Sequence, residues 1–195
     1  TLRIMANDKV FFHSGATGDI IFSLPVIRAL GGGELWIAGY NHRLIEMITP
    51  VLECQPYITR VVVPHYIPDE CIDLDKFRNY ISLGKSLIET NFIAQNVKFS
   101  MERDTTKWID LCPSETVFND DFTVIAWSPK YRNDSFDWRG EIEYLKTWGS
   151  EIRFIGMEVH YNEFVGLYGN DAVFYDCDFQ ESLWHFKFAQ KVSCN

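Results

Sequence analysis

The chain has 195 residues, of which 47% are hydrophobic and 15% aromatic, enough apolar material for a packed core and too much for a disordered or fibrous chain. Lys plus Arg total 18 against 27 Asp plus Glu, and a net charge of -9 argues against a nucleic-acid backbone as the main partner. No apolar run reaches the ~18 residues of a spanning helix, and Thr1 to Lys9 lacks a secretory pattern, so the expectation is a cytoplasmic protein with no integral membrane segment.

In chain order, Val10 to His13 reads as a short apolar strand. The small-residue turn Ser14-Gly15-Ala16-Thr17-Gly18-Asp19 follows it, then a buried helix from about Asp19 to Leu30, kinked at Pro25. Gly31-Gly32-Gly33 ends that helix and Glu34 to Ala38 reads as a second parallel strand. A helix over His42 to Leu52, strands at Ile58 to Val63 and Cys71 to Leu74, and a helix from Asp75 to about Thr90 come next.

The pattern weakens between Val97 and Asp121, which places a boundary between a first domain over 1–115 and a second over 121–195. The second series runs strand Phe122 to Trp127, a polar loop to Arg139, helix Glu141 to Trp148 and strand Ile152 to Ile155. Helix Tyr161 to Tyr168, strand Ala172 to Tyr175 and helix Phe179 to Lys191 complete it. Alternating strands and helices imply an α/β fold of two Rossmann-like parallel-sheet domains. Only three strands are read in the second, which is therefore expected to be incomplete and to self-associate through its exposed sheet.

The five cysteines, Cys54, Cys71, Cys112, Cys177 and Cys194, are odd in number, widely spaced and without a C-x-x-C pair, and they read as reduced thiols. The histidines show no H-x-x-x-H or H-E-x-x-H spacing, so no metal site is expected.

The turn Ser14 to Asp19, set between a strand and a helix, is the first candidate site. Glycines admit close backbone approach, and a helix N-terminus offers N–H groups to an oxygen-rich ligand. It is neither G-x-G-x-x-G nor a P-loop, and the competing reading is a tight loop with Asp19 capping the helix. The stretch His13 to Gly33, with its Gly18-Asp19 pair opening the helix and Pro25 within it, resembles the opening of the heptosyltransferase-like glycosyltransferases. That family has the GT-B fold and transfers sugars from nucleotide-sugars. The resemblance implies that Asp19 is the catalytic base, with Ser14, Gly15, Thr17 and Gly18 on the acceptor side.

The loop Ser128-Pro129-Lys130-Tyr131-Arg132-Asn133-Asp134-Ser135-Phe136-Asp137-Trp138 resembles the family's donor loop. By that resemblance Ser128, Lys130 and Arg132 meet the donor phosphates, and Trp138 has a functional case from its place there. Phe154-Ile155-Gly156-Met157-Glu158 ends the next strand, where similar enzymes place a glutamate on the ribose. Glu158 takes that role or merely begins a helix. The likeness runs from about residue 10 to about 180.

Two D-x-D strings, Asp73-Leu74-Asp75 and Asp176-Cys177-Asp178, suit a divalent cation in a GT-A enzyme or, more simply, strand-end and helix-cap carboxylates. The reading is thus a metal-independent glycosyltransferase without a cofactor. A nucleotide-diphospho-sugar, ADP-sugar by resemblance, is its donor, and a glycan or glycolipid its acceptor. The alternatives are an inactive nucleotide-sugar-binding protein or fragment, and a dinucleotide-dependent oxidoreductase, which the missing G-x-G-x-x-G disfavours.

Overall fold

A computed structural model of the chain describes residues 9–38, 42–67, 69–106, 108–111, 121–129, 135–149 and 151–194. The chain divides into two units, Thr1–Cys112 and Pro113–Asn195.

The first unit opens with β1 (Lys9–His13), α1 (Thr17–Ala29), β2 (Gly33–Ile37), α2 (His42–Glu53), β3 (Ile58–Val62) and β4 (Ile72–Asp73). A 3₁₀ helix over Leu74–Leu83, α3 (Leu87–Ala94) and α4 (Met101–Thr105) complete it. Its four-stranded sheet is parallel, with order β3-β2-β1-β4. The apolar run of β1 buries Phe11 beside Leu35 of β2 on one face of the sheet and Phe12 on the other. Helix α1 lies against α2, α3 and α4, leaving Gly18, Phe22 and Ala29 exposed and burying Ile20, Leu24, Val26 and Ile27. Each such side chain contributes roughly 1.5–3 kcal/mol on leaving water.

The second unit runs β5 (Phe122–Ala126), α5 (Trp138–Leu145), β6 (Glu151–Ile155), α6 (Glu158–Tyr168), β7 (Val173–Tyr175), α7 (Phe179–Phe188) and β8 (Lys191–Cys194). Its parallel four-stranded sheet has order β7-β6-β5-β8, the same permutation as the first. One sheet face packs Ile125, Trp127, Ile152 and Phe154 against Trp138, Ile142, Leu145 and Phe164 of α5 and α6. The other sets Phe122, Val124 and Ile155 against Phe186 and Phe188.

Several expectations are corrected. The expected single helix over Asp75 to Thr90 is two elements. Gly84 sits in the left-handed region at φ 65°, where glycine carries no steric cost, and Ser86 then caps α3 by accepting the N–H of Glu89. Helix α1 begins at Thr17, with Ala16 at its cap position, so Asp19 lies inside the first turn and does not cap it. Helices α5 and α6 start three residues earlier than expected, at Trp138, capped by Asp137, and at Glu158.

The second sheet has a fourth strand. Residues Lys191 to Cys194 leave α7 and pair in parallel with Thr123 to Ala126 of β5. The expected three-stranded sheet is therefore wrong, and the shortfall on which self-association was argued is not there. Cys54 is disulfide-bonded, which corrects the reading of all five cysteines as thiols. Cys71, Cys177 and Cys194 are free, and Cys112 lies outside the described residues. Among the described residues no helix is long and apolar enough to cross a membrane.

Candidate active site

In both sheets the strand order reverses beside the first strand of the unit, between β1 and β4 and between β5 and β8. Loops leaving the C-terminal ends of such neighbours diverge and open a crevice, the usual ligand site of open α/β sheets. Ser14 to Asp19 leaves β1 at the first of these points and Ser128 follows β5 at the second.

At the first point the pairing of Phe12 with Asp73 brings the start of the 3₁₀ helix alongside the turn after β1. Asp73 accepts the N–H of Asp75 at 2.9 Å and caps that helix. Asp75 reaches across: its Oδ2 accepts both the N–H, at 2.9 Å, and the hydroxyl of Ser14. Arg78, one turn further on, donates from Nη2 to Oδ2 of Asp19 at 3.1 Å and brings Nε within 3.6 Å of Asp75 Oδ1. Asp19 keeps a quarter of its side chain exposed, as a proton acceptor requires, and its Oδ1 bonds no described residue.

His13 closes the floor of this cluster. The side chain is fully buried and Nδ1 accepts the Gly15 N–H at 2.8 Å. Burial pushes its pKa below the ordinary value; Asp75 and Asp19 pull it upward without overcoming that, so the imidazole is neutral near pH 7. Its 3.3 Å approach to Asp75 Oδ1 is accordingly no ion pair, and Nε2 meets no partner among the described residues. Gly15 is glycine for want of space: a Cβ there would lie 2.5 Å from His13 Cε1, 2.8 Å from Arg78 Nη2 and 2.9 Å from Asp19 Cβ. Gly18 differs, since a Cβ on it would meet nothing within 4 Å, and the first turn of α1 is open to a ligand there. Thr17 holds a buried hydroxyl without a partner among the described residues.

In the second unit Ser128 is partly buried at the end of β5, and Glu158 is the exposed first residue of α6, at the same end of the sheet. Lys130 and Arg132 lie outside the described residues. Ser193 of β8 donates its hydroxyl to Glu141 of α5 and so ties the strand beyond the reversal to the helix after the first strand. Trp138 is not a binding group. It is 1% exposed and packs edge-on to Phe136 and Phe164, a core residue.

The D-x-D strings resolve as caps, with Asp178 accepting the Glu181 N–H as Asp73 accepts that of Asp75. Burial pushes the thiol between Asp176 and Asp178, Cys177, up to about 11, which leaves it un-ionised and a poor ligand. Among the described residues no group of three or more His, Cys, Asp or Glu is placed to hold a metal. A surface groove of about 530 Å³ between α5 and the end of α6 contains none of the sequence-predicted site residues.

Fold and site together define an α/β protein of two Rossmann-like units, each with its reversal beside its first strand. No protein-family model, curated protein or solved structure matches the chain.

Proposed function

We propose that the chain is a metal-independent glycosyltransferase of the heptosyltransferase-like, GT-B class, with Asp19 as general base. The observation that supports this best is the state of Asp19: partly exposed at the strand-order reversal, one carboxylate oxygen held by Arg78 and the other unbonded among the described residues. In the proposed reaction Asp19 takes the proton from an acceptor hydroxyl. The hydroxyl oxygen forms a bond to the anomeric carbon of the donor, and the bond from that carbon to the diphosphate breaks, its electron pair leaving on the nucleotide diphosphate.

The acceptor, a glycan or glycolipid, belongs to the first unit, beside Ser14, Gly15, Thr17 and Gly18. The donor, a nucleotide-diphospho-sugar with ADP favoured by resemblance, belongs to the second. Ser128, Lys130 and Arg132 stabilise the departing diphosphate there, with Glu158 on the ribose. The repeated strand order supports one ligand crevice per unit.

The test is release of nucleotide diphosphate from ADP-, UDP- and GDP-sugars with a panel of glycoside acceptors. Asp19→Asn is expected to retain the fold and lose transfer by ~100–10,000-fold. Undiminished transfer in the variant would remove Asp19 from the reaction.

A further inference from the structure

Asp19 is not the only residue at this crevice whose geometry is specified. From Asp75 and Arg78 we infer a positioning relay: Arg78 restrains the Asp19 carboxylate, and Asp75 holds Arg78. The inference rests on Asp19 being the proton acceptor.

A carboxylate free to turn about its last bond offers two equivalent oxygens in no set direction. Here Nη2 of Arg78 engages Oδ2 at 3.1 Å, which restrains rotation of the carboxylate and leaves Oδ1 as the oxygen that bonds no described residue. Arg78 could not do this alone. Its side chain is 46% exposed, and a long exposed side chain loses considerable freedom when held in one pose. Two contacts offset that loss. Nε lies 3.6 Å from Asp75 Oδ1, and the guanidinium rests 4.9 Å from the ring centre of Phe77, itself 1% exposed.

Asp75 is anchored to the turn after β1 by the two bonds it accepts from Ser14, so its position moves with the start of α1. The relay Ser14, Asp75, Arg78, Asp19 therefore leaves β1, crosses to the 3₁₀ helix and returns to the helix that carries the base. Gly15 lies at its centre, because any side chain there would collide with both ends of the Arg78–Asp19 pair. Lysine replaces Arg78 only in part, since one ammonium cannot present the separate Nε and Nη2 donors that face Asp75 and Asp19 together.

Carbodiimide-driven labelling of carboxyl groups in the whole protein, read residue by residue by mass spectrometry, tests the relay without requiring turnover. In the unaltered protein Asp19 is expected to label slowly beside the exposed Glu163. Arg78→Gln should raise its labelling severalfold, Asp75→Asn should do the same, and labelling at Glu163 should stay constant. Equal labelling of Asp19 with and without Arg78 overturns the relay.

A second readout is the transfer reaction. Arg78→Gln is expected to lower kcat roughly 10–100-fold with the donor KM unchanged, the signature of a misaimed group. Arg78→Lys should restore less than half of the loss. A shift in donor KM alone, or full rescue by lysine, contradicts positioning. If the unaltered protein turns over no donor, the transferase reading falls, and labelling still decides whether Arg78 holds Asp19.

Discussion

Arg78 and Asp19 are 59 residues apart in sequence and 3.1 Å apart in space, between guanidinium Nη2 and carboxylate Oδ2. The pairing of β1 with β4 carries the contact, and it gives the candidate base one engaged oxygen and one that bonds no described residue.

The two glycines of the turn should respond to alanine in opposite ways. At Gly15 a methyl overpacks against buried His13 and the Arg78–Asp19 pair, which is expected to cost roughly 1–3 kcal/mol. At Gly18, in the first turn of α1 with open space above it, alanine should be neutral or stabilise by up to ~1 kcal/mol. Denaturant melts of the two variants check this, and a Gly15→Ala protein as stable as its parent would show that the site yields freely.

Trp138→Ala should destabilise the second unit by ~3–5 kcal/mol, because the buried ring fills the core beside Phe164 and Tyr168. Trp138→Phe should cost much less, since the indole N–H has no partner among the described residues and its removal relieves an unmet donor. Hydrogen exchange of α5 and β6 amides separates the two. Equal protection loss in both variants would assign the indole nitrogen a bond.

Stability should fall as pH drops below 6.5. His185 is 2% exposed, with its Nδ1 3.3 Å from Arg153 Nη1 and its ring against Tyr175 and Phe122; burial and then Arg153 hold its pKa below 6.5, against a smaller upward pull from Glu151. His13 is lowered likewise, by burial first. Below pH 6.5 the unfolded chain binds protons that the folded chain refuses. Each histidine then removes up to about 1.4 kcal/mol per pH unit until its own lowered pKa is reached. Melting curves from pH 7.5 to 5.5 should show this decline, and His185→Gln should flatten it in the second unit. A rise in stability over the same interval would contradict neutral, buried imidazoles.

Much of the fold was legible in the sequence because its signals are local. The apolar runs of β1, β2, β5 and β6 and the small-residue turn after β1 give strand, loop and helix in order. What escaped depends on pairing between distant segments. Asp75 reads as a D-x-D or cap carboxylate and Arg78 has no assigned role until β4 is set beside β1, and His13 reads as the last residue of a strand. The short strand Lys191 to Cys194 has too little alternation to be seen without its partner β5. Gly84-Lys85-Ser86 did carry a stop and a cap, hidden by the apolar spacing on either side. Trp138 was drawn towards function by its neighbours in sequence, whereas in space its ring packs on Phe164 of the core and on Tyr168.

Donor binding is the most direct measurement of the proposed chemistry: thermal unfolding of the whole protein in EDTA, with ADP-, UDP- and GDP-sugars and with NAD. A nucleotide-sugar at 100 times its Kd should stabilise the protein by about 2.7 kcal/mol, visible as a rise in Tm that EDTA leaves intact. No shift with any nucleotide-sugar, or a shift with NAD alone, would contradict a glycosyltransferase.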